Sequence, residues 1–167
     1  MIWTWREIRI RYKQSILGAI WAVLQPLCMM LILTVVFSLI VRIPSGDVPY
    51  PLFSYAAFFS WSFLATSISL GVPSLTNSMN MVTKVSMPKE ILPVATVLAS
   101  LVDFSVAATL FVGMLLYYRV AVHLTVLWVF PLLTIQIILS IGVVLLGSAL
   151  NVLYRDIRFV VPLAVQL

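Results

Sequence analysis

Residues 5–26 read WREIRIRYKQSILGAIWAVLQP, and this stretch decides how the chain is placed. It joins four cations to an apolar run that extends from Ile16 to Val41. A helix needs about 20 residues to cross a hydrocarbon core of roughly 30 Å, so the run is long enough to span a membrane. It is too long for a signal peptide, and no A-x-A-like cleavage site follows it, so we expect an uncleaved anchor. Because cations beside a first span stay on the cytoplasmic side, the N-terminus is predicted to lie inside.

The charged part of this stretch has two interpretations. Glu7 to Lys13 alternate between polar and apolar residues, which is typical of a strand. Wound as a helix, the same region places Trp5, Ile8 and Tyr12 on one stripe. A lone strand at a bilayer surface would leave its backbone edge unpaired, whereas a helix satisfies its own backbone. We therefore predict an amphipathic helix within residues 1–15, lying on the cytoplasmic interface. Its interfacial residues are Arg6, Arg9, Arg11, Tyr12 and Lys13.

The composition indicates a membrane protein without a nucleic-acid partner. The chain is 63% hydrophobic and 9% charged, whereas about a quarter of the residues in soluble domains are charged. Its net charge of +5 is not gathered on one soluble face, because the cations flank apolar spans. The single cysteine, Cys28, excludes an intrachain disulfide and is expected to pack. His123 is also alone and is a weak candidate for a metal ligand.

Hydropathy predicts an all-α integral membrane protein with one transmembrane domain over residues 1–167. An N-terminal interfacial helix would precede four complete transmembrane helices and the start of a fifth. The fifth apolar segment has nine residues from Phe159 to Leu167, too few to span as a helix. We therefore expect either a fragment or a chain truncated at its C-terminal end. The four predicted spans are Ile16–Val41, Tyr50–Val72, Ile91–Tyr118 and Thr125–Leu150.

The charges agree with one orientation of these spans. Residues 73–90 and 151–158 would lie on the cytoplasmic side with the N-terminus. Eight of the ten Lys and Arg residues would then be inside, and only Arg42 and Arg119 outside. This bias follows the positive-inside rule.

Ser74 to Glu90 form the only long polar interval between the spans. On a helical projection Leu75, Met79, Val82 and Ser86 share one face, with Ser74 or Asn77 as a cap and Pro88 near the end. The segment is either a loop lying on the lipid surface or a short helix that docks a soluble partner. Methionine-rich amphipathic helices suit both roles, so the spacing alone leaves both open.

Two spans carry polar rows that favour helix packing. The row on the second span could instead line a path for an amphipathic substrate, but aromatic belts and Ser/Thr faces explain it more simply. The row on the fourth span is assigned to helix–helix contact for the same reason. The second-span residues that could line a path are Tyr55, Phe58, Phe59, Ser62 and Thr66. The fourth-span residues are Gln136, Ser140, Gly147 and Asn151.

Asp103 lies near the middle of the third span, where a charge costs roughly 2.5–3.5 kcal/mol on insertion scales. It must face the bundle, water or a partner, or be protonated. A proton relay would need further acids or histidines in the spans, and the sequence has none. A structural hydrogen-bonding role is therefore favoured.

The chain shows no catalytic equipment of its own. It has no G-x-x-x-x-G-K-[ST] loop, no G-x-S-x-G turn and no His/Cys/carboxylate cluster. We expect neither an enzyme nor a bound cofactor.

Residues 9–26, RIRYKQSILGAIWAVLQP, resemble the N-terminal signature of permeases in bacterial ABC exporters of the type-2 class. The resemblance is greatest to the group that exports lipid-linked polysaccharides: O-antigen, capsule and teichoic acid. Further matching segments follow in the same order, namely PYPLF at 49–53, TKVSMP at 83–88, LVDF at 101–104 and NVLYRDI at 151–157.

The resemblance implies a permease with six spans that pairs with a second copy and binds a separate ATPase subunit, which would hold the ATP. It implies a coupling helix in the loop between spans two and three, which is Ser74 to Glu90 here. It also implies that the N-terminal helix lies beside the ATPase. Relatives continue beyond the end of this chain, through the rest of span five and span six. The implied ATPase-coupling residues are Asn77, Met79, Val82, Lys84 and Lys89.

We therefore expect a multi-pass permease subunit of an ATP-driven exporter in the bacterial inner membrane, acting on a lipid-linked glycan. A type-2 exporter of a drug or another lipid is the same-class alternative. A membrane-bound transferase acting on polyprenyl-linked sugars is a second alternative. Such an enzyme should have acidic residues together at one membrane surface to bind a metal–diphosphate. The acids Asp47, Glu90 and Asp156 are instead isolated and on opposite sides. A non-functional remnant is the third.

The orientation should depend on Arg6, Arg9, Arg11 and Lys13. Replacing all four by neutral residues removes half of the eight inside cations and should give mixed or inverted insertion of the first span. Reporter fusions at Asn80 measure the change, since they should read as cytoplasmic in the unmodified chain. Uniform insertion of the neutralised variant would show that the later loops set the orientation.

Overall fold

The computed structural model describes residues 2–13, 20–36, 49–79, 88–120 and 124–166. These residues form seven α-helices and one 3-10 turn, and no strand occurs among them. The 3-10 turn, Leu124–Trp128, leads directly into the sixth helix. The helices are α1 (Ile2–Lys13), α2 (Ile20–Thr34), α3 (Tyr50–Gly71), α4 (Ser74–Asn77), α5 (Ile91–Tyr117), α6 (Val129–Leu153) and α7 (Ile157–Gln166).

Three stretches of the described chain are helical, long and apolar enough to cross a membrane: Tyr50–Gly71, Ile91–Tyr117 and Val126–Leu153. They confirm the predicted second, third and fourth spans as helices, although the last ends at Leu153 rather than Leu150. The first predicted span is described only over residues 20–36, where α2 lies. A total of four spans therefore stays a prediction.

Proline marks where the three long helices begin. Pro51, Pro93 and Pro131 each lie within the first three or four residues of α3, α5 or α6. The first four N–H groups of a helix have no intrahelical partner, so the missing proline N–H costs nothing there. Apolar runs after these prolines can then wind as uninterrupted helices.

The N-terminal region is a helix, which excludes the strand interpretation for Glu7–Lys13. It begins at Ile2 and ends at Lys13, and it packs against α5. Trp5 is exposed, and the Arg6 guanidinium lies 5.4 Å from the centre of the Trp3 ring. The other interfacial side chains, those of Arg9, Arg11, Tyr12 and Lys13, lie outside the described part, and the interfacial position of α1 stays a prediction.

The core lies between α3 and α5, with α2 and α6 packed against both. Phe59 is at its centre, because its ring centroid lies 4.9 Å from Phe104 and 5.4 Å from Phe111. Tyr55 stacks on Phe59 at 5.6 Å, and its hydroxyl donates to the Ala107 carbonyl at 3.0 Å. Large rings from two neighbouring helices therefore hold the bundle together, through apolar burial and ring stacking.

The fifth apolar segment forms α7, which begins at Ile157 rather than Phe159. Ile157, Val161 and Val165, spaced four residues apart, pack one face of α7 against the core. The helix contacts α3 and α6. Phe159 is exposed on another face, with the Arg158 guanidinium 4.6 Å from its ring.

The end of α5 has a Schellman motif with an arginine at the position that usually holds glycine. The Arg119 N–H donates to the Leu116 carbonyl and the Val120 N–H to the Leu115 carbonyl, at 3.2 and 3.3 Å. This closure needs a left-handed residue after the cap, and Arg119 supplies it with φ 51°. A side chain with a Cβ adopts this conformation at a cost of roughly 1–2 kcal/mol.

Arg119→Gly should therefore stabilise the protein by roughly 0.5–1 kcal/mol. Relief of the strained left-handed conformation stabilises the folded state, and the greater freedom of glycine in the unfolded chain offsets part of that gain. Thermal unfolding of the purified protein in detergent measures the change. Arg119→Ala is the matched control, since it removes the same charge and keeps the Cβ. An equal gain in both variants would assign the effect to the charge instead of the backbone.

Candidate functional site

The base of the predicted coupling segment is a tight turn directly after α3. Pro73 has no N–H to donate, so the hydrogen-bond ladder of α3 cannot continue through it. The Ser74 hydroxyl donates to the Gly71 carbonyl at 2.6 Å, and the Thr76 hydroxyl donates to the Pro73 carbonyl at 2.9 Å. The sequence offered Ser74 or Asn77 as a helix cap. Ser74 does not cap α4, because Pro73 occupies that position and the Ser74 hydroxyl donates to the preceding turn. A cap at Asn77 stays a prediction, because residues 80–87 lie outside the described chain.

The predicted ATPase-coupling residues are described in part. Asn77 is the last residue of α4, and Met79 follows it closely in the chain; both are exposed. Lys89 is exposed in the turn before α5. Val82 and Lys84 fall in residues 80–87, outside the described chain, as does the rest of the predicted helical face. The coupling role stays a prediction.

Asn151, at the end of α6, joins this base to the fourth span. Its side chain is 1% exposed. The Nδ2 atom donates to the Thr76 hydroxyl at 2.9 Å and to the Val72 carbonyl at 3.4 Å. Its Oδ1 atom has no partner among the described residues. In the sequence this residue is the last member of a polar row and the first residue of the NVLYRDI segment, and neither pattern indicates what it would contact.

The backbones approach closely beside Asn151. A Cβ placed on Gly147 would lie 2.6 Å from Cγ2 of Val72. A Cβ on Gly71 would contact Val144 on α6, with Cγ2 at 2.9 Å, and would lie 3.2 Å from the Thr96 hydroxyl of α5. The end of α3 is therefore enclosed by α5 and α6, and only glycine leaves space for the contact.

A second amide joins α6 to α3 nearer the middle of the bundle. The Gln136 Nε2 atom donates to the Ser60 carbonyl at 2.7 Å. Ser140 is fully buried, yet its hydroxyl donates to the Gln136 carbonyl of its own helix, at 2.7 Å. The prediction that this row makes a helix contact is confirmed, and its two amides provide the hydrogen bonds between helices.

The residues of the possible translocation path have different surroundings. Tyr55 and Phe59 are buried in the aromatic core between α3 and α5. Phe58, Ser62 and Thr66 are partly buried. The Ser62 hydroxyl donates to the Phe59 carbonyl of its own helix at 2.8 Å. Tyr55 and Phe59 thus contribute to packing, and a translocation path along this row stays a prediction.

Asp103 lies in the middle of α5, and its side chain is partly buried. Its neighbour in the chain, Phe104, belongs to the aromatic core. Asp103 therefore lies on a helix that has many buried residues. The structural role predicted for it stays a prediction.

These features define a multi-pass helical membrane protein. A family model described as ABC-2 type transporter matches residues 1–167, so the chain belongs to that family. Two proteins from Klebsiella pneumoniae, each named O-antigen export system permease protein RfbA, are 27% and 28% identical to it over 163 residues. That match covers 97% of this chain and 62% of each relative.

A protein of the same name from Myxococcus xanthus is 29% identical over 160 residues, which is 93% of this chain and 59% of the relative. The chain thus spans about three-fifths of the length of the curated relatives it matches.

Gly147→Ala should destabilise the protein by about 1–3 kcal/mol, because the new methyl group would overlap the Val72 side chain and force α3 and α6 apart. Thermal unfolding in detergent measures the loss. Gly142→Ala is the matched control on the same helix, since a Cβ there meets nothing within 4 Å. Its higher helix propensity should leave stability unchanged or raised. Equal effects of the two substitutions would contradict the close contact.

Proposed function

We propose that the chain is a permease subunit of an ATP-driven exporter that moves a lipid-linked polysaccharide, such as O-antigen, capsule or teichoic acid, across the bacterial inner membrane. The observation that carries the proposal is the match of nearly the whole chain to proteins named O-antigen export system permease. Three long apolar helices, with little charge inside them, support a role within the membrane.

The energy would come from a separate subunit. The sequence contains no phosphate-binding loop, so ATP would bind and be hydrolysed on an ATPase partner at the cytoplasmic face. The segment from Ser74 to Glu90 is the proposed contact with that partner. Exposure of Asn77, Met79 and Lys89 supports this, because a docking surface must be accessible. Methionine adds adaptable apolar contact area.

Two copies of the permease would form the pathway, with the N-terminus of each on the cytoplasmic side. The bias of cations towards the proposed inner segments supports this orientation. Closure of the ATPase subunits on ATP would displace the coupling segment and rock the spans attached to it. The glycan carrier would then be moved outward between the spans.

Substrate class separates this proposal from the nearest alternative, a type-2 exporter of a drug or another lipid. The names of the relatives favour the polysaccharide. Deletion of the gene should then cause a lipid-linked glycan to accumulate on the inner leaflet, measured by extraction and mass analysis of carrier lipids. Unchanged carrier lipids with increased drug sensitivity would favour the alternative.

The contact with the ATPase is tested by Met79→Asp in the permease produced together with its ATPase. The charge should reduce the ATPase recovered with the permease, because the new carboxylate must be desolvated in an apolar contact. Quantitative co-purification from solubilised membranes measures it. Arg119→Asp is the control, because it introduces a carboxylate at an exposed turn on the proposed outer side.

The control should recover as much ATPase as the unmodified protein, and the permease itself should be equally abundant in all three samples. Equal recovery with Met79→Asp would remove the loop from the contact. It would also restore the interpretation of this segment as a loop lying on the lipid surface.

A further inference from the structure

Val72, Thr76 and Asn151 form a buried polar contact at the base of the coupling segment, which we call the loop-base clasp. Asn151 is 1% exposed and lies two residues before the end of α6. Thr76 belongs to α4, the first turn of the coupling segment, and Val72 is the residue directly after α3. The clasp therefore joins the end of α6 to the turn between α3 and α4.

The donors and acceptors fix the orientation of the Asn151 amide. The Val72 carbonyl can only accept a hydrogen bond. The Thr76 hydroxyl has its proton committed to the Pro73 carbonyl at 2.9 Å, so it too presents a lone pair. Both partners need a donor, and the Nδ2 atom of Asn151 supplies both hydrogens. A carboxylate at this position would set an acceptor against two acceptors.

The clasp lies where movement of the coupling segment would be passed to the neighbouring helices. The chain itself attaches the coupling segment to α3 through Val72 and Pro73, and to α5 through Glu90. Asn151 adds a hydrogen-bonded attachment to α6. Its bond to the Val72 carbonyl is buried and its bond to the Thr76 hydroxyl is partly buried, so breaking them would leave polar groups with little access to water. A displacement of α4 is thus passed to α6 by hydrogen bonds as well as by packing.

We propose that Asn151 is a positioning residue that carries displacement of the coupling segment to the fourth span. This rests on the proposed function, since it requires an ATPase that moves the segment. Without the clasp, displacement would still reach α3 through the backbone, but only packing would pass it on to α6. Gln136 joins the same two helices near mid-bundle, without contact to the segment, and serves only their packing.

The test follows the two spans separately by cysteine labelling of the complete permease–ATPase complex. With Cys28 replaced by alanine, a single cysteine replaces either Leu70 near the end of α3 or Leu153 at the end of α6; both positions are exposed. The maleimide labelling rate is measured before and after trapping with ATP and orthovanadate. In the otherwise unmodified protein, both rates should change on trapping.

Asn151→Asp should reduce the change at position 153 at least twofold and keep the change at position 70. Thr76→Val should have the same effect in weaker form, because the Val72 carbonyl remains as a partner, whereas Thr76→Ser keeps the hydroxyl and should behave like the parent protein. Gln136→Leu is the matched control. It removes a hydrogen bond between the same helices and should lower the unfolding temperature while both labelling responses persist.

The outcomes separate this inference from the proposed function. If neither position responds in the parent protein, or no ATPase co-purifies, the proposed function fails. If both respond in the parent and both respond to the same extent in Asn151→Asp and Thr76→Val, the clasp does not transmit and the inference is overturned. An equal reduction of the response at position 153 in Gln136→Leu would overturn it too, because general loosening of α6 would then explain the result. If Asn151→Asp does not fold, Thr76→Val compared with Thr76→Ser decides the point.

Discussion

The hydrocarbon core of a membrane contains no water, so every polar group carried into it must find a partner inside the protein. Among the described residues, the buried Ser67 hydroxyl and the Oδ1 atom of Asn151 have no hydrogen-bond partner, and other buried polar groups meet the constraint in two main ways. Hydroxyl groups bond backwards: Ser140 and Ser148 are buried on α6 but donate to carbonyls of their own helix. Amide groups reach outward, because Gln136 and Asn151 donate to carbonyls in or at the end of α3. Two long amides therefore join α6 to the end and middle of α3, while the small hydroxyls of α6 let the backbones come close. The Tyr55 hydroxyl makes the corresponding bond from α3 to α5.

The second span is the structural centre because it offers a different surface to each neighbour. Towards α5 it presents large rings, including Tyr55 and Phe59, which bury apolar area and stack. Towards α6 it makes contacts with its backbone. The Ser60 carbonyl accepts a hydrogen bond from Gln136, and a side chain at Gly71 would collide with Val144. One helix thus combines an aromatic interface with a close backbone interface. Rotation of this helix about its axis would disrupt both together.

The sequence predicts the spans well and the contacts between them less well. Length and apolar composition located α3, α5 and α6 because a membrane imposes both on any helix that crosses it. The row ending in Asn151 was identified as a packing surface from its small and polar residues. Its partner Thr76 could not be predicted, because helical periodicity says which residues share a face but not which loop lies opposite. Of the two caps offered by the sequence, Ser74 does not cap α4, because it lies inside that helix and its hydroxyl donates to the Gly71 carbonyl instead of accepting from a backbone N–H.

Most of the surface of α6 faces away from the other described residues. Lipid chains do not distinguish leucine from isoleucine, valine or phenylalanine by shape, so substitutions among these residues carry little energetic penalty wherever that face meets lipid. The inner stripe has no such freedom, because the Gly147 and Asn151 contacts depend on the size and donor groups of the residues that make them. Evolutionary drift in such a helix should accumulate on the side that faces lipid. Two proteins can then diverge to a low overall identity while the geometry that joins their helices is inherited intact.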